Sequence, residues 1–120
     1  MTEPRASYAP KGGGAIRAAE LRFSPLTGRA GLKVAGEICL PTHDTWERAL
    51  ERVVQQSEPS YHLELSAVTF ADMAGVTALA VVAQSLDHGR RVVLDRPPAS
   101  MSRLLDLFWP DLPAIEVSAV

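Results

Sequence analysis

The chain has 120 residues, 47% of them hydrophobic, and a formal charge of −2 at pH 7. That length suits one domain and that apolar content one core, while the absence of a basic excess argues against nucleic acid as the main partner. No run of about eighteen apolar residues exists to span a membrane, and the N-terminus lacks the basic start and apolar stretch of a secretion signal.

Residues 1–18, rich in Gly, Pro and small side chains, read as a flexible tail, and residues 19–120 as one domain. Lys11 and the three glycines after it lack the Gly-Lys-Ser/Thr ending of a phosphate loop. Leu21 and Phe23 alternate with Arg22 and Ser24, a period of two that predicts a strand. The turn residues Thr27 to Gly31 lead to a second alternation of Leu32, Val34 and Gly36, so the pair is expected to form a hairpin. Thr42 or Asp44 is the expected cap of a helix in which Trp46, Leu50, Val53 and Val54 recur at helical spacing. Ser57 to Ser60 closes it. Tyr61, Leu63 and Leu65 predict a central strand, with Val68 to Ala71 as a short continuation.

Asp72 caps a second helix, Met73 to about Asp87, with Gly89 as its stop signal. It is apolar on nearly every side, so it is expected to be buried or to meet a partner. Arg91 to Asp95 has the composition of a buried strand. Pro97 and Pro98 introduce a third helix, with Ser100 or Ser102 near its start, and Pro110 and Pro113 break it. Ala114 to Ser118 closes the chain as a short strand. Strands alternating with helices predict an α/β domain: a mainly parallel sheet of about five strands, the first pair a hairpin, with three or four helices packed on it.

Candidate chemistry is sparse. His43, His62 and His88 fall in different elements, and none shares the spacing of four residues that a helical metal site needs. Asp72 has a capping role, and Glu47 and Glu51 share a solvated face. Cys39 stands alone, which excludes an internal disulfide and a thiol metal cluster and fits a reducing cytoplasm. No nucleophile, base and orienter come together, so no catalytic residue, cofactor or metal is expected and the chain is read as a non-enzyme.

The most informative stretch is Val68-Thr69-Phe70-Ala71-Asp72-Met73-Ala74-Gly75-Val76. A strand runs into a sharp connection, and Asp72 opens a helix whose first-turn N–H groups favour an anion. The stretch resembles the signature of the STAS domain family, in which a Val-Thr-Phe-like step leads to Asp-Ser-Ser-Gly-Leu. Gly36-Glu37-Ile38 is similar to that family's Gly-Glu-Leu-Asp, and the third helix carries a comparable Leu-Leu step. The resemblance covers residues 20–119 and includes the order of elements.

The antagonist branch of that family implies a protein-interaction module that binds an anti-sigma factor, itself a kinase, and is released when the Ser after the motif Asp is phosphorylated. Met73 stands at that position and Ala74 follows it, so neither accepts a phosphate; Cys39 replaces the Asp at the second-strand edge beside Glu37. The resemblance therefore implies an anti-sigma factor antagonist-like regulator, bound to a kinase-fold partner through Asp72, Met73, Ala74, Gly75, Val76 and Thr77, without the serine switch. Met73, Ala74, Val76 and Thr77 are expected to form an apolar, adaptable patch, and Thr77, one turn beyond Met73, is the remaining hydroxyl on that face. Two alternatives stay open. One is a ligand- or nucleotide-sensing module using Asp95 and the loop after it beside the helix start at Asp72. The other is a self-associating scaffold, a homodimer for instance, built on the second helix or on Phe108 and Trp109.

Overall fold

Side-chain alternation sets the first two strands. In the computed structural model, which describes residues 18–118, β1 (Leu21–Pro25) and β2 (Gly31–Ile38) pair antiparallel, from Leu21 opposite Gly36 to Pro25 opposite Leu32. The expected hairpin is present. The predicted tail lies outside the described residues, apart from Ala18.

A 3-10 turn, Leu40–Thr42, leads into α1 (His43–Gln55). Thr42 occupies the N-cap position but does not cap. Its hydroxyl instead donates to the Glu37 carbonyl at 2.6 Å and accepts from the Cys39 amide at 3.1 Å, which locks the end of β2 into the turn. The far end of α1 is closed from a distance: the Arg90 guanidinium donates to the carbonyls of Val53 (3.0 Å) and Gln56 (2.7 Å). A cation there also suits the negative pole of the helix.

The chain continues through β3 (Ser60–Ala71), α2 (Met73–Gln84), β4 (Arg91–Asp95), α3 (Ala99–Phe108) and β5 (Ile115–Ser118). The five strands lie in the order β1-β2-β3-β4-β5, and every pair after the first is parallel. This is the expected α/β architecture, with three helices and the one short turn. Two details differ from the sequence reading. The predicted strand and its continuation are one strand of 12 residues, because shifts of register against β2 absorb the break in alternation after Leu65. Helix α2 stops at Gln84, three residues early, where the Ser85 hydroxyl donates back to the Val82 carbonyl at 2.7 Å.

All three helices pack on one face of the sheet. Trp46, Leu50 and Val53 of α1, Val76 and Leu79 of α2, and Met101 and Leu105 of α3 join Val34, Leu63, Leu65, Val92 and Leu94 in one core. The opposite face carries the charges. There Asp95, almost fully buried, accepts from the Arg29 guanidinium at 3.1 Å and contacts His62 Nδ1 at 3.0 Å, which ties the β1–β2 turn to β4.

Beside it, Glu64 accepts from the Ser66 amide (3.0 Å) and hydroxyl (2.6 Å) and from Arg96 (2.6 Å). Burial alone pushes the Glu64 carboxyl up, but these donors outweigh it and hold it down to about 2, against an ordinary 4.5. A depressed carboxylate stabilises the fold above its unfolded value, and that stability is lost as pH falls through the folded value. Urea unfolding of wild type against Glu64→Gln will therefore show a constant advantage above pH 4.5, shrinking to nothing near pH 2. An advantage independent of pH across that window counts against the assignment.

Candidate partner-binding site

The motif is built where β2 and β3 end side by side. Ile38 pairs with Ala71, and the Asp72 amide donates to the Ile38 carbonyl at 3.0 Å, so the second-strand edge and the helix start become one surface. Ile38 and Ala71 are far apart in sequence because parallel neighbours must be joined by a crossover, here α1. Asp72 then caps α2 as expected, its carboxylate accepting from the Gly75 amide at 2.8 Å.

Three further contacts pin this corner. The indole of Trp46, fully buried, donates to the Gly75 carbonyl at 2.9 Å. Ser100, near the start of α3, accepts from the Ala71 amide at 3.0 Å. Gly75 also sits against Ile38, where a Cβ would collide with the isoleucine Cγ2. Its lack of a side chain is what lets α2 lie this close to β2.

Gly75→Ala tests that close approach. Alanine favours a helix over glycine by about 1 kcal/mol, but overpacking against a stiff, buried Ile38 costs about 1–3 kcal/mol. A net loss of stability is expected in urea unfolding, together with displacement of the start of α2. A gain in stability would show that the corner has room.

The motif residues divide between core and surface. Met73 is 42% exposed and Ala74 is exposed, while Thr77 is half-buried. Gly75 and Val76 are buried. Val76 therefore does not belong to the expected patch: it shares the inner stripe of Leu79, Ala80 and Ala83, as helical spacing requires. At the second-strand edge Glu37 is exposed and Cys39 half-buried. Two apolar side chains missed in the sequence complete the surface, Leu40 at 82% and Phe70 at 47% exposure. Leu40 follows the end of β2 and Phe70 pairs with Glu37, so both stand at the edge where Met73 emerges. A single exposed apolar residue is ordinary, so the signal is that Leu40, Phe70 and Met73 are all exposed around the ends of β2 and β3. Asp95 pairs with Glu64 in the middle of β3 and is engaged by Arg29 and His62, while the loop after it leads to Ser100, which is bonded to Ala71 beside Asp72.

Among the described residues no group of His, Cys, Asp and Glu is arranged to hold a metal ion, and no helix is long and apolar enough to cross a membrane. A family model described as "Mlab, STAS domain" matches residues 24–109. The chain belongs to the STAS domain family. No curated protein matches it. Among solved structures, an anti-sigma factor antagonist from Mycobacterium paratuberculosis superposes with a TM-score of 0.68 at 23% identity, covering 86% of this chain and 87% of that one. The anti-sigma factor antagonist SpoIIAA in its unphosphorylated form gives 0.53 at 16% identity, covering 85% and 89%. At these identities the likeness is one of fold. This STAS domain thus has the architecture of those antagonists, with Asp72 and Gly75 of the motif in place and Met73 and Ala74 between them.

Proposed function

We propose that this STAS domain is a regulatory, non-catalytic interaction module that binds a kinase-fold partner of the anti-sigma factor type through the start of α2, without a serine phospho-switch. The observation that carries the reading is the pairing of a rigid helix start with exposed apolar side chains at its first turn. Asp72, Trp46 and Ser100 hold the corner by hydrogen bonds; it presents Met73 and Ala74, and Leu40 and Phe70 are exposed near the ends of the two strands that meet there. An apolar, preorganised patch suits protein contact, because little ordering remains to be done on binding. The side chains at the two motif positions carry no hydroxyl, so a kinase partner has no acceptor there. Thr77, half-buried within α2, is a poor substitute, since a helical Thr bonds or packs locally.

The test is titration of the purified protein against candidate anti-sigma factor kinases with ATP, following complex formation and phosphate incorporation together. Binding without phosphate transfer is the expected result. Phosphate on Thr77 would restore a switch and overturn that half of the reading; binding to none of the candidates would overturn the other.

A further inference from the structure

This inference rests on the proposed function and names the partner's chemistry. Helix α2 carries no charged residue from Met73 to Gln84. Met73, Thr77 and Val81 follow one another at intervals of four, so they form a single stripe, and Val81 is 57% exposed. Beside this stripe a groove of about 390 Å³ runs between α1 and α2, floored by Leu50, Ala78 and Val82 and edged by Val54 and Val81. Val54 is 45% exposed, so the apolar strip reaches the surface at the end of α1.

Its α1 rim is acidic. Glu47 and Glu51 both line the groove, whereas the basic residues of the same helix turn away. Arg48 donates to Thr45 at 3.2 Å, and the Arg52 guanidinium lies over the Phe23 ring at 5.7 Å. His43 lies 3.1 Å from Glu47, and at the other end of α1 the Arg90 guanidinium is taken up by the carbonyls of Val53, Val54 and Gln56. Charge on α1 is therefore sorted into an acidic edge facing α2 and a basic edge facing β1.

We propose that the groove receives an amphipathic basic helix of the partner, its apolar face on Val54, Val81 and Val82 and its Lys or Arg side chains against Glu47 and Glu51. Those two glutamates are four residues apart, the spacing at which a helix also presents two side chains on one edge. An uncharged α2 sets no opposing charge on the other side. A second copy of this chain is disfavoured at the same place, because symmetric pairing would set acidic rims together.

The probe is a synthetic peptide of about 18 residues, long enough to form a helix, with leucines on one face and Lys or Arg at intervals of four. Its control carries Glu in place of every base. Chemical shifts of the full chain are expected to move at Val54, Ala78, Val81 and Val82 with the basic peptide alone. Val81→Asp, or Glu47→Lys with Glu51→Lys, is expected to weaken that binding about tenfold or more, and the charge-reversed pair to take up the acidic peptide instead. Equal binding of both peptides, or shifts confined to other surfaces, overturns the inference. So does dimerisation abolished by Val81→Asp, which assigns the groove to a second copy. Changes in the groove signals of the peptide-free chain on Lys11→Glu with Arg17→Glu assign it to the chain's own first residues, with the same consequence. An anti-sigma factor kinase separates this inference from the function beneath it. If it binds these variants as well as wild type but fails to bind Met73→Asp, the groove is excluded and the function stands. If no kinase binds wild type while the basic peptide does, the function fails and the groove stands.

Discussion

Met73→Asp will leave the fold as stable as wild type, or up to about 1 kcal/mol more so, and will weaken partner binding by about a hundredfold. The two effects have one cause with opposite signs. Met73 is the first residue of α2, where the helix N-terminus favours a negative charge in the free protein. In the complex the same carboxylate would lie inside an apolar contact, losing water without gaining a partner; truncating or unpairing buried interfacial charge typically costs about 2–5 kcal/mol, and about 2.7 kcal/mol is a hundredfold. Urea unfolding and calorimetric titration of the same preparation separate the two. Undiminished binding by a stably folded Met73→Asp would move the contact away from the motif. Met73→Ser is the companion experiment. It supplies the missing hydroxyl at the same exposed position, so a kinase partner with ATP should phosphorylate the variant and then release it, while wild type stays bound. A phosphorylated serine brings nearly two negative charges where Asp brings one.

Trp46→Ala will lose about 3–5 kcal/mol, the range for removing a large buried aromatic. Against a typical total of about 5–15 kcal/mol, that takes much of the stability. Trp46 is fully buried at the junction of α1, α2 and the sheet, and its indole holds the Gly75 carbonyl at 2.9 Å. Trp46→Phe keeps most of the apolar volume and removes only the donor; the Gly75 carbonyl stays in the α2 ladder, so the loss should be about 0.5–1.5 kcal/mol, the net worth of one hydrogen bond. The informative readout for Trp46→Phe is local. Amide exchange at the start of α2 should accelerate more than in the body of β3, because the lost bond anchors the helix start rather than the core. Uniform acceleration across both would make Trp46 a packing residue with no special hold on the motif.

Much of the architecture was legible because periodicity reports local geometry. Leu21 and Phe23, Leu32 and Val34, and Tyr61, Leu63 and Leu65 alternate as half-buried strands do. Trp46, Leu50 and Val53 recur as a buried helix face does. Asp72 was readable as a cap for the same reason, since its bond to Gly75 spans only three residues. Departures from the local pattern also have physical sources. Alternation fails after Leu65 because β3 changes register against β2, which no property of β3 alone reveals. Family position alone puts Val76 in the surface patch; in a helix that is apolar all round only packing selects which stripe turns inward, and Val76 is on it.

Local residue pattern was enough for the order of strands and helices, the capped helix start and the lack of a hydroxyl at Met73 and Ala74. Tertiary structure decided which distant residues meet there. It set Ile38 against Asp72, brought Trp46 to Gly75 and Ser100 to Ala71, and left Leu40 and Phe70 exposed at the same edge. It also set Asp95 beside Glu64 in the middle of β3. Those relations depend on strand register and on how helices dock, and both are settled by packing across the whole core, which a local pattern of side chains does not encode.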